Sequence, residues 1–450
     1  MAYFNLIHGI GNKAVFIVSV VIICALIIDT SLIKIYSFLT RPYSPDWNVA
    51  IFIVMALVYA IGQYVILEFV KTKIKQARTA TSRQSNITVI HKVVSTIQYI
   101  LIALLVLLVL EMIITSSYNV SILTAAIGFS YILAIMLMAL LAKRFFSWFK
   151  SNHNLVVLTY AISISLLSIN ALLTLVYVDN ILIGQPNYML PHIGHISPFD
   201  TSNPELKSGY IISSVVAFMA TWFATVLLMR HYSHKLGRVK YWIIVGMPLA
   251  YFLSQFEPLF LSVFYAYRLS EPVLFGIVYT LIFNLSKPAG GILFGVAFWT
   301  VSRTIGPRPL KDYVLIAAYG FVLVFTSNQA IVLVNSAYPP FGLATISFMG
   351  LSSYLIFQGI YASAISVSED NALRKTIRKS VEQQSKLLDS IGTAHMEQEI
   401  QKKVISITKE HQDDMMSESG VQPSLSEDDI KQYLQEVIQE TKKDKNKLLK

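Results

Sequence analysis

The chain has 450 residues, of which 54% are hydrophobic and only 14% charged. Soluble domains carry roughly 25% charged residues, and no soluble fold of this length can hide so much apolar surface, so a cytosolic enzyme, a disordered chain and a secreted disulfide scaffold are excluded. The net charge of +10 taken alone allows nucleic acid or anionic lipid as a partner, and the single cysteine, Cys24, permits no internal disulfide.

A helix crosses the hydrocarbon core with about 20 apolar residues. Ten stretches qualify: 14–33, 49–70, 93–115, 120–142, 155–178, 209–229, 242–264, 273–301, 313–335 and 342–366. The predicted fold class is all-α: a polytopic transmembrane helix bundle of about ten spans over 1–366, followed by a cytoplasmic helical tail over 367–450. The first stretch reads as a span and not as a signal peptide, because no small-x-small cleavage site follows it. Val21, Ile22 and Ile23 likewise exclude a lipoprotein cleavage site before Cys24.

Orientation follows from Lys and Arg in the short loops. With the N-terminus inside, the inner loops collect 17 basic residues, among them Lys71, Lys73, Lys75, Arg78, Lys143, Arg144, Lys150, Arg230, Arg238 and Arg303. The outer loops hold four: Lys34, Arg41, Lys207 and Arg268. Losing one span would put a basic loop on the wrong side, so both termini are expected in the cytoplasm. The longest outer loop, 179–208, is rich in Pro, Asn and His and is expected to cap the outer face or line an entry.

From about residue 367 the composition changes. Leu373, Ile377, Val381, Leu388, Ile391, Met396, Ile400, Val404 and Ile407 recur at spacings of mostly three or four, which predicts an amphipathic helix with one apolar stripe. Such a stripe suits self-association as a coiled coil, a cytoplasmic protein partner, or the inner leaflet. Residues 410–425, with Gly420 and Pro423, read as a connector. Ser426 and Asp429 then open a second helix carrying Ile430, Leu434, Val437 and Ile438.

Ionisable residues within spans are costly and mark candidate sites. Asp29, Glu68 and Glu111 fall near span ends, where they can cap or reach the interface. Glu257 and Lys287 lie deeper, at about 22 Å from Trp242 and about 21 Å from Val301 at 1.5 Å per residue. Adjacent antiparallel spans would place them at one depth, as an ion pair or as part of a relay. Pro288, Gly290 and Gly291 follow Lys287, and the combination predicts a break or a proline kink in the eighth span. Gln255, Asn284, Thr326, Asn328, Gln329 and Gln358 occur in the same half, either lining a polar cavity or bonding helix to helix. Gly291 and Gly295 make a small-xxx-small face suited to close packing. In the outer loop, His192 and His195, with Asp200 and Glu205, have the residue types of a metal site at a spacing easily met by chance. No cofactor motif is present: there is no phosphate-binding glycine loop, no nucleophile elbow, no HExxH and no paired-cysteine motif. No catalytic set is visible, which leaves a membrane-embedded enzyme with little support.

The segment Ser366–Val404, SVSEDNALRKTIRKSVEQQSKLLDSIGTAHMEQEIQKKV, resembles the juxtamembrane tail of uncharacterised multi-span proteins of ammonia-oxidising archaea. The likeness extends back to KPAGGILFGVAFW. It implies an archaeal cytoplasmic membrane and carries no activity or site residues. The layout also resembles membrane sensors whose last span runs into a signalling helix, although no output domain is recognisable. Two functions therefore compete: a sensor or signalling scaffold acting through the tail, and a secondary transporter or channel acting through the polar residues around Glu257 and Lys287.

The charge also resolves by place. Residues 1–366 carry +12 and the tail −2. The excess lies mostly in the inner loops, where anionic inner-leaflet lipids are the expected contact. Nucleic acid is set aside as a partner.

Overall fold

The computed structural model of the chain describes residues 20–30, 45–78, 85–191, 203–230, 237–256, 270–304, 308–329, 338–369, 383–419, 433, 436 and 437. In lipid, every backbone N–H and C=O must be bonded internally, and an apolar helix does this within one segment. The elements are α1 (Val20–Thr30), α2 (Pro45–Arg78), α3 (Ser85–Thr115), β1 (Tyr118–Asn119), α4 (Val120–Asn152), α5 (Leu155–Ile183), β2 (Tyr188–Met189), α6 (Pro204–Met229), α7 (Arg238–Ser254), α8 (Pro272–Thr304), α9 (Arg308–Ser327), α10 (Leu343–Glu369) and α11 (Gln383–Ser419). Seven of the described helices, α2 to α6, α9 and α10, are long and apolar enough to cross a membrane. The protein is a multi-pass helical membrane protein. The described parts of the expected spans 14–33, 242–264 and 273–301 are the helices α1, α7 and α8, which stand outside those seven.

Local sequence sets several helix starts. Asn119 and Asn154 cap α4 and α5, their side chains accepting from the N–H groups of Ser121 and Val156. Glu111 Oε2 accepts from Asn119 N at 2.8 Å and ties the end of α3 to the start of α4. The ladder of β1 and β2 pairs Tyr118 with Met189 and holds the loops after α3 and α5 together.

At the centre stands α10, whose apolar window is buried along its full length. It packs on α9 and α4, and at its far end on α11. Its Ser, Gly and Ala residues allow the backbones to approach closely. A Cβ on Gly359 would lie 2.6 Å from Tyr313 O of α9, and one on Gly350 would lie 2.9 Å from Leu133 Cδ2 of α4. Ser130 of α4 adds a hydrogen bond to Ile346 O at 2.8 Å.

Two expectations are corrected. The break at Pro288, Gly290 and Gly291 does not occur, because α8 is helical from Pro272 to Thr304 with Pro288 inside it. The glycines serve packing instead. A Cβ on Gly291 would sit 2.8 Å from Phe325 Cβ, and one on Gly295 2.8 Å from Ala318 O, so both face α9. The second concerns the stretch 313–335, in which helix α9 ends at Ser327 and Asn328 and Gln329 are not helical.

The tail helix α11 is docked on the bundle. Leu387, Leu388, Ile391, Ala394 and His395 are buried, against α10, α4 and α5. Asn154 Nδ2 donates to Ser390 Oγ at 2.7 Å while its Oδ1 caps α5. His395 lies edge-on to the rings of Trp148 and Tyr361. Beyond this segment Ile400 and Ile407 are exposed, so among the described residues the stripe is buried from Leu387 to His395 and not at these two positions. The connector expected from 410 is helix as far as Ser419. Leu373, Ile377, Val381 and most of the second tail helix lie outside the described residues.

Candidate functional site

A polar network runs through the bundle interior, and its hub is Asn328, just past the last turn of α9. The Asn328 N–H still bonds Val324 O at 2.9 Å. Its side chain accepts from Tyr131 OH of α4 at 3.2 Å and donates to Asn170 Oδ1 of α5 at 2.8 Å. Asn170 Nδ2 in turn donates to Ser213 Oγ of α6 at 2.9 Å. Asn170 lies 15 residues into α5, about 22 Å along it, so the network meets α5 near its middle.

Lys287, in the middle of α8, points its Nζ at Asn328 O across 3.4 Å. The same ammonium lies 5.7 Å from the ring centre of Tyr210 on α6. It therefore faces the carbonyl end of α9, where the helix dipole favours a cation. Gln329 Nε2 donates to Asn284 O of α8 at 3.1 Å, and Asn284 Nδ2 donates to Thr30 O of α1 at 2.9 Å.

Next to Thr30, Asp29 forms the opposite pole. It is 1% exposed. Its carboxylate accepts from Gly342 N at 3.1 Å, Thr345 N at 3.2 Å and Thr345 Oγ1 at 2.7 Å. The two N–H groups belong to the residue before α10 and to its first turn, so a residue of α1 caps the central helix from across the bundle. The end of α9 and the start of α10 thus meet opposite charges inside the protein.

Of the sequence-predicted site residues, Asn284, Lys287, Asn328 and Gln329 come together here. Gln255 does not join them, since its Nε2 bonds Phe252 O of its own helix at 2.9 Å. Glu257, the proposed partner of Lys287, lies outside the described residues, as do His192, His195 and Asp200. Among the described residues no group of three or more His, Cys, Asp or Glu is placed to hold a metal ion. Asp29, Tyr131, Asn170 and Ser213 were not foreseen as members. Asn170 carried a usable signal, being an amide in the middle of a long apolar run. Asp29 carried only its charge.

The network can hold two helix ends apart in one arrangement. The spare donors of Lys287 can also meet a carbonyl or an anion. Asn328→Ala is expected to remove the bonds to Asn170 Oδ1 and Tyr131 OH and to cost about 1–3 kcal/mol, read as a lower denaturation midpoint in detergent; an unchanged midpoint would remove Asn328 as the hub.

No family model matches the chain, and no curated protein or solved structure is similar to it.

Proposed function

We propose that this is a membrane sensor or signalling scaffold in which α10 carries a change in the interior polar network to the tail helix α11. The observation that supports this is the position of α10. Its first turn is capped by Asp29 within the network, and near its last turn Val367 packs against Gly392 of α11. A fully packed helix moves as a rod, because dense interiors transmit displacement instead of absorbing it. A small shift at one end therefore reaches the docked tail at the other.

In this reading the chain spans an archaeal cytoplasmic membrane ten times, with both termini inside. The bias of 17 inner to four outer basic residues supports that orientation. The docked part of α11 meets the ends of α4 and α5 next to Lys150, in agreement with a cytoplasmic tail. The inner loops would contact anionic lipid, and the part of α11 around the exposed Ile400 and Ile407 would meet a protein partner or a second tail.

The second reading is a secondary transporter or channel, favoured by one observation. The α9 backbone leaves the helix at Asn328 beside the Lys287 ammonium, the type of helix end that builds ion and substrate sites at mid-membrane. Reconstitution decides between the two. The sensor reading expects no substrate flux above empty vesicles. Flux in the parent that disappears in both Lys287→Ala and Glu257→Ala would put transport in its place.

A further inference from the structure

We propose that α2, α3 and α10 enclose a hydrated seam, a file of bound water leading from mid-membrane to the end of the bundle that carries Lys71. It is separate from the Asn328 network and does not depend on the sensor reading.

Two hydrogen bonds tie the three helices together on polar faces. Tyr59 OH of α2 donates to Gln98 Oε1 of α3 at 2.9 Å. His91 Nδ1 of α3 and Tyr354 OH of α10 are 2.9 Å apart. Each helix adds further polar side chains to the same face. Gln63 follows Tyr59 by four residues on α2, Gln98 follows His91 by seven on α3, and Gln358 follows Tyr354 by four on α10. The edge of Phe348, 5.0 Å from Tyr59 between ring centres, brings α10 against α2 at the same level.

The amides in this seam are buried and bare. Gln63 and Gln98 are 0% exposed and Gln358 is 1% exposed. Yet Gln63 Oε1 and Nε2, Gln98 Nε2 and Gln358 Oε1 have no hydrogen-bond partner among the described residues. A buried amide without a partner is costly, and lipid offers it nothing. Several along one seam point to a common occupant. The bare groups are two carbonyl oxygens and two NH2 groups, so the occupant must both donate and accept. A cation would meet unsatisfied N–H donors and an anion unsatisfied carbonyls. Water serves both, and a buried water makes about three such bonds.

The seam also leads somewhere. Gln63 lies one turn, about 6 Å, beyond Tyr59 along α2, and His91 about 10 Å beyond Gln98 in the same direction. Gln358 is a further turn along α10 from Tyr354. On α2 the Gln63 face continues through the buried Ile66, Leu67 and Val70, so the polar route runs past His91 of α3 instead. At that end of the bundle Glu68 and Lys71 form an ion pair at 3.0 Å, with the lysine side chain 60% exposed.

Radical footprinting tests this within one molecule. X-ray pulses split bound water into hydroxyl radicals that oxidise the nearest side chains. Tyr59, Tyr354 and Tyr177 are each no more than 1% exposed, and Tyr177 is stacked on Tyr210, away from the seam. In the reconstituted full chain, Tyr59 and Tyr354 are expected to oxidise severalfold faster than Tyr177. In Gln63→Leu the Tyr59 rate is expected to fall to that of Tyr177. Equal rates for all three tyrosines in the parent would overturn the proposal without any variant. A Tyr59 rate unchanged in Gln63→Leu would overturn the part assigned to Gln63.

Discussion

Asp29→Ala is expected to be among the most destabilising single changes in this protein, at about 3 kcal/mol. The carboxylate satisfies two backbone N–H groups and a hydroxyl at the start of α10, all of them buried. Its removal strands those buried donors, at about 1–3 kcal/mol per unpaired group, and removes the favourable charge at the helix N-terminus. Thr345 Oγ1 keeps Leu26 O at 3.3 Å as an alternative acceptor, which holds the total below the full sum. Asp29→Asn retains one acceptor oxygen and should recover part of the loss. Denaturant titration in mixed micelles orders the three proteins as parent, Asn variant, Ala variant. An Ala variant as stable as the parent would mean that α10 does not need this cap.

The second large effect is expected at the other end of α10. Gly392 of α11 lies against Val367, and a Cβ there would come 2.6 Å from Val367 Cβ. Gly392→Leu leaves no room for α11 on the bundle. Undocking exposes Leu387, Leu388 and Ile391, each 3% exposed or less, and burial of one such side chain is worth about 1.5–3 kcal/mol. The docked segment is therefore expected to lose its protection from protease, while the spans, which do not rest on the tail, stay folded. A tail in Gly392→Leu that resists protease as in the parent would contradict the docking.

Helical spans were legible in the sequence because lipid imposes a length and a composition that few soluble segments share. The stretches 49–70, 93–115, 120–142, 155–178 and 209–229 fall within α2 to α6, and 342–366 matches α10 to within one residue. What was not legible was the use of polar residues. Pro288 and two glycines suggested a broken or kinked helix, yet α8 continues through them, and Gly290 and Gly291 give close approach to Phe218 of α6 and to α9. The actual helix end in the interior, at Ser327, precedes a pair of amides with no proline or glycine beside it. Asp29 could be recognised as costly but not as a cap, since its partners Gly342 and Thr345 are more than 300 residues away. Periodicity in the tail marked Leu388 and Ile391 as one face. It could not distinguish a face that docks on the bundle from one that meets lipid or a partner, because all three bury the same kind of stripe.

The central claim is that the interior network and the tail are coupled through α10. Hydrogen exchange at residues 387–395 tests it most directly, with the parent compared with Asn328→Ala, a change that touches no residue of α11. Coupling predicts faster exchange in the docked segment of the variant, with the distal part of α11 unchanged. Exchange at 387–395 identical in the two proteins would contradict the account.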